Sequence, residues 1–113
     1  MTWMKLTSIG EEEPLFRGSL FRYRRMARNN EILDYMLFAA HEASGLGLIR
    51  DSGYDAGIIL VIFPAEAKSR GKVAISPVWL CRHWQEWVDS SSTPDSVWVH
   101  KGGRLAAEKL PDE

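Results

Sequence analysis

Cysteine is nearly absent: Cys81 is the one thiol in 113 residues, which excludes an internal disulfide framework and suits a reducing compartment. An excess of one charge sign is missing too. The 14 Lys and Arg stand against 15 Asp and Glu, a formal charge of −1, so the strongly basic footprint of a dedicated duplex-DNA binder is not there. The apolar stretch Ile58 to Phe63 is six residues long, far below the roughly 20 that span a bilayer. Before Pro14 the chain has no basic segment followed by an apolar run, as a secretory signal requires. These absences predict a cytoplasmic protein that does not enter a membrane. Internal repeats and low-complexity tracts are also lacking.

What is present is 45% hydrophobic and 11% aromatic, enough for one domain over residues 1–113 that buries about two-thirds of its unfolded surface. Around Gly18, the stretch Leu15 to Tyr23 reads as one or two short strands meeting at a bend. Asn29-Asn30 offers cap chemistry, and Leu33, Met36, Leu37 and Ala40 recur at helical spacing, which predicts a helix over about 31–42 ending at Ser44-Gly45. Leu46 to Arg50 and Gly57 to Phe63 flank a turn-rich hexapeptide, Asp51 to Ala56, and read as an antiparallel hairpin. Gly57 to Phe63 is apolar on both alternate faces, which predicts a central strand covered on both sides. Lys68 to Lys72 reads as an exposed basic turn. Ser76-Pro77 is a helix start, with Leu80, Trp84, Trp87 and Val88 forming one stripe of a helix over about 77–89. A last short strand follows at Val97 to His100. The expected fold is α+β, a small antiparallel sheet packed against two main helices.

No catalytic constellation is legible. Cys81 and His83 lie two apart on the second helix, about 200° around its axis, and cannot grip one ion. Cys81 beside the Leu80 stripe reads as a half-buried structural thiol, and Gly45-Leu46-Gly47 is only a fragment of a dinucleotide fingerprint. No nucleophile elbow, phosphate loop or His-Glu-x-x-His is present. The residues therefore predict no catalytic residue, no metal, no cofactor and no small-molecule substrate.

Two surface features stand out. Arg17, Arg22, Arg24, Arg25 and Arg28 follow one another with no intervening acid, leaving 9 basic residues against 15 acidic ones elsewhere. With Phe21 and Tyr23 interleaved, Arg22, Arg24 and Arg25 have the makings of a single-strand nucleic-acid platform. The same pattern also describes a strand whose arginines solvate an exposed edge. Five tryptophans are present; Trp84 and Trp87 belong to the apolar stripe, whereas Trp79 and Trp98 read as boundary residues, at an interface or partly buried under a neighbouring loop.

Gly57-Ile58-Ile59-Leu60-Val61-Ile62-Phe63-Pro64-Ala65-Glu66-Ala67, then Ser76-Pro77-Val78-Trp79-Leu80 with Trp84 and Trp87, resembles a small immunity-protein family of bacterial polymorphic toxin systems, immunity protein 45. The resemblance covers roughly Leu46 to Val88. It implies a cytoplasmic protein that binds the C-terminal domain of a cognate secreted or contact-delivered toxin, one to one, and covers its active site. In such systems the toxin is often a nuclease, and the immunity gene normally lies directly downstream of the toxin gene. A nuclease cleft is basic, so an acidic surface would complement it. On that expectation Asp51, Asp55, Glu66, Glu86 and Asp89 are the candidate toxin contacts, with Tyr54 and Trp79 as aromatic anchors. The alternative is a small RNA-binding or regulatory module using Phe21, Arg22, Tyr23, Arg24 and Arg25.

Overall fold

The computed structural model describes residues 3–25, 30–41 and 45–102. Six strands, β1 (Met4–Lys5), β2 (Leu20–Arg25), β3 (Glu31–Ala39), β4 (Leu46–Arg50), β5 (Ile59–Ile62) and β6 (Trp98–His100), form one sheet in the order β1-β6-β2-β3-β4-β5. Every neighbouring pair is antiparallel. One α-helix among the described residues, α1 (Pro77–Trp87), packs on one face of this sheet, and 3₁₀ turns at Leu6–Ser8, Ala65–Ala67 and Pro94–Ser96 close the core around it.

The helix begins as its sequence dictates. Ser76 Oγ accepts the Trp79 N–H at 3.2 Å and donates to Glu11 Oε2 at 2.7 Å. The cap satisfies an orphan donor, worth about 1 kcal/mol, and Pro77 occupies the first helical position, where a missing N–H is harmless. Leu80 and Trp84 are fully buried against Phe21, Tyr23, Leu33, Leu37, Leu48 and Val99 of the sheet. Trp87 and Val88 flank that core half-buried.

The expected helix over 31–42 is not formed; residues Glu31–Ala39 are instead strand β3, so the sheet packs against one helix and not two. Leu33, Tyr35 and Leu37 alternate into the core at 1%, 6% and 0% exposure, while Ile32, Asp34, Met36 and Phe38 point to the other face. This stretch is so rich in apolar residues that it satisfies both the helical and the strand period. Pairing decides between them: β3 lies between β2 and β4 and has ladder partners on both sides. Asn30 adopts φ 55° in the turn entering β3, a left-handed position that Asn tolerates, and does not cap a helix. Asn29, Glu42 and Ser44 of the expected helix and its boundaries lie outside the described residues, as does Arg28 of the arginine stretch.

A second correction concerns Gly57 to Phe63. Its antiparallel pairing with Leu46–Arg50 is formed, yet β5 is the last strand of the sheet, and Ile59 is 51% exposed. Apolar alternation signals covered faces, but on this strand it belongs to a surface.

Gly47 shows how tightly β3, β4 and β5 are laced. A β-carbon built there would lie 2.5 Å from Val61 O, 2.8 Å from Phe38 Cε1 and 2.9 Å from Ile62 Cδ1. Because the first of these is backbone, the strands must separate to admit a methyl group. Gly47→Ala is expected to destabilise the protein by about 1–3 kcal/mol, read as a lower urea midpoint. An unchanged midpoint would show that β5 moves freely.

Candidate functional site

The strand registers sort the side chains into rows. On the face under α1 run Met4, Val99, Phe21, Tyr35 and Arg50, then Tyr23 with Leu33, and Leu37, Leu48 and Val61. On the opposite face, which carries no helix among the described residues, the rows are Arg24 with Ile32; Lys5, Trp98, Arg22 and Asp34; His100, Leu20, Met36, Ile49 and Ile59; and Phe38, Gly47 and Ile62. Ile32 and Ile59 are each 51% exposed and Trp98 is 41% exposed. Leu20, Met36, Phe38, Ile49 and Ile62 are half-buried, shielded by one another. A six-strand sheet thus presents a broad apolar face to solvent, the kind of patch that marks an interaction surface.

Charge on this open face gathers in one corner. Arg22 grips Asp34 through two bonds, Nε to Oδ1 at 2.7 Å and Nη2 to Oδ2 at 2.8 Å, and its guanidinium lies 4.8 Å from the Trp3 ring centre. The hydrogen bond to Asp34 raises the Arg22 pKa further, so the group stays charged. Lys5 Nζ sits 4.4 Å over Trp98 and donates to Asp95 O at 2.9 Å. Arg24 Nη1 donates to Asn30 O at 2.8 Å. These groups line a cleft of about 370 Å³ with Ile32, Trp98 and Ser96.

The basic aromatic stretch therefore splits by strand alternation. Arg22 and Arg24 face outward, while Phe21 and Tyr23 are buried at 0% and 3% exposure and have no face left on which a base could stack. Arg25 lies at the strand end, its Nε 3.7 Å from Asp89 Oδ2.

The expected acidic contacts are not gathered into that face. Asp51, Tyr54 and Asp55 are exposed in the β4–β5 connection, Glu66 is exposed in the 3₁₀ turn after β5, and Glu86 is exposed on α1. Glu86 Oε2 lies 3.2 Å from His83 Nδ1. Half-buried Trp79 stacks on His83 with ring centres 4.5 Å apart and meets Phe63 edge-on. Asp89 is 8% exposed; it accepts from Tyr23 Oη at 3.0 Å, Ser91 N at 2.9 Å and Ser91 Oγ at 2.6 Å. Its carboxylate is committed to the fold.

Among the described residues no group of three His, Cys, Asp or Glu could hold a metal ion, and no helix is long and apolar enough to cross a membrane. Burial pushes the half-buried Cys81 thiol above its ordinary value, the reverse of an activated nucleophile. Sequence reasoning missed Ile32 and Met36 as residues of the open face. Their signal was the two-residue alternation along Glu31–Ala39, which the helical spacing masked.

No curated protein and no solved structure matches the chain. A family model described as immunity protein 45 matches residues 13–99, from the acidic turn through Val99 in β6. The match takes in all of β2 through β5 and α1, and with them most of the open face, so the chain belongs to the immunity protein 45 family.

Proposed function

We propose that the protein binds the C-terminal domain of a cognate bacterial toxin one to one and blocks access to its active site, with no chemistry of its own. The single observation that carries this reading, beside the family, is the sheet face that bears no helix among the described residues. The fourteen positions of its four rows, at about 4.8 Å by 6.7 Å each, span on the order of 450 Å², more than half of the roughly 800 Å² that each partner contributes to a standard interface. A rigid, preformed sheet surface loses little conformational freedom on binding. The exposed hairpin tip with Asp51, Tyr54 and Asp55, and the outer side of α1 with Glu66, Trp79 and Glu86 near it, are the rival contact regions. Nucleases are frequent toxins in such systems, and neutralisation by obstruction does not depend on the toxin's chemistry. A cytoplasmic location fits a protein that must meet the toxin inside the cell it protects.

Co-expression tests the reading. Cells carrying the C-terminal domain of the reading frame directly upstream, under inducible control, are expected to stop growing alone and to grow when this chain is present, with an equimolar complex on purification. Continued arrest, or rescue without a complex, overturns it.

A further inference from the structure

Resting on that reading, we infer that the Lys5, Arg22, Arg24, Ile32 and Trp98 corner is the centre of the docking surface, and that it takes an apolar patch of the toxin bearing a carboxylate.

Charge selects this occupant. The corner holds three cations and Asp34, whose two oxygens are both occupied by Arg22. Among the described residues, the ion pairs within 4.0 Å include none for Lys5 or Arg24, and exposed Asp95 reaches Lys5 through its backbone oxygen. Both cations are positioned by backbone acceptors, Asp95 O and Asn30 O; the exposed Asp95 carboxylate also attracts Lys5 through space, whereas the acceptor of Arg24 orients it without opposing its charge. Between them, Ile32 and Trp98 expose apolar surface. A partner carboxylate would find Arg24 N–H groups and the Lys5 ammonium already aimed, and its apolar neighbours would cover Ile32 and Trp98. Arginine and tryptophan flanked by aliphatic contacts are the residues that concentrate binding energy.

The same charges argue against the other occupants. A second copy of this chain on a two-fold axis would set Lys5 and Arg24 near their own equivalents, like charge against like. A basic nuclease cleft would meet the same repulsion. Single-stranded RNA needs a track of cations with free aromatic faces. Here the cations form one cluster, Trp98 lies under Lys5, and Trp3 is covered by Arg22.

The test measures binding of the full chain to the C-terminal domain of the upstream reading frame by surface plasmon resonance at low and moderate salt. Arg24→Glu is expected to weaken binding by about tenfold or more, mainly through slower association and with a flatter salt dependence. Trp98→Ala is expected to weaken it by about thirtyfold through faster dissociation. Arg70→Glu with Lys72→Glu, exposed in the basic turn, is the comparison, expected within about threefold of wild type. Arg24 and Trp98 are both exposed, and unchanged melting temperatures verify that each variant folds; Arg24→Glu stands by itself if Trp98→Ala does not. Wild-type binding and protection with both corner variants unaffected overturns the inference and leaves the immunity reading intact. Failure of the wild type to bind overturns both. Binding of a 20-mer oligouridylate that Arg24→Glu abolishes, with toxin affinity unchanged, overturns the inference in favour of RNA.

Discussion

Trp84→Ala is expected to destabilise the protein by about 3–5 kcal/mol, a large part of the roughly 5–15 kcal/mol that holds a domain of this kind together. Trp84 is fully buried on α1 and is the largest side chain at the junction of helix and sheet. Its ring meets Tyr23 edge-on at 5.3 Å and lies 6.4 Å from Phe21. Truncation removes the indole from between them and leaves a cavity that the rigid ladder of β2 and β3 cannot close. A polar penalty adds to this one: Nε1 donates to Ser92 Oγ at 2.8 Å, and Ser92 is itself 4% exposed. Trp84→Phe separates the two effects, because it keeps most of the ring and loses the hydrogen bond, at about 1–2 kcal/mol. Urea denaturation followed by circular dichroism measures both variants. A loss under about 1 kcal/mol for the alanine would mean that α1 is not the lid of this core.

Removal of Asp89 is expected to have the next largest effect. Its carboxylate joins the end of α1 to β2 through Tyr23 and holds the Ser91 turn with two further bonds. Asp89→Ala leaves the buried Tyr23 hydroxyl and the Ser91 donors without their acceptor, an expected loss of about 2–4 kcal/mol. Arg25, at 3.7 Å with a side chain 38% exposed, adds little of this because water screens it.

The pH dependence follows from the same pair. Burial pushes the Asp89 carboxyl up, but the Ser91 hydroxyl and N–H, the Tyr23 hydroxyl and the Arg25 charge together outweigh it and hold the group below its ordinary value. The unfolded chain thus takes up the proton first. Asp89 stabilises the fold fully above the unfolded carboxylate value near 4, and that contribution is lost as the pH falls through it. Tyr23 moves in the opposite sense. Burial, then the Asp89 charge and hydrogen bond, raises its phenol well above the ordinary value. Its contribution is present below about 10 and declines as the unfolded phenol ionises at higher pH. Wild-type stability is expected to be level between these limits and to fall at both ends. Asp89→Asn is expected to flatten the acid limb; an acid limb of unchanged slope would show that other carboxylates govern it.

The recognition of the apolar sheet face depends on the same alternation that corrected the fold. Read as a helix, Glu31–Ala39 hides Ile32, Met36 and Phe38 on a buried flank. Read as a strand, it places them on one open face with Arg22, Ile49 and Trp98. Trp98 was legible as a boundary residue in a short terminal strand, and it is half-exposed. The acids were chosen by charge alone, and charge does not report position: Asp89 is in the core, whereas Asp51 and Asp55 are at a hairpin tip.

Local chemistry is what the amino-acid sequence determined by itself. Ser76-Pro77 starts a helix wherever it is placed, Asp51 to Ala56 turns a hairpin, and the pattern from Gly57 to Trp87 carries the family. Tertiary structure alone decided that Glu31–Ala39 is a strand, that β5 lies at an edge and that, among the described residues, the helix packs on one face of the sheet only. Those outcomes depend on which strands supply the neighbouring hydrogen bonds and on which side α1 packs. Such partners are distant in sequence, and residues as uniformly apolar as Leu33 to Phe38 fit either structure until those partners are in place.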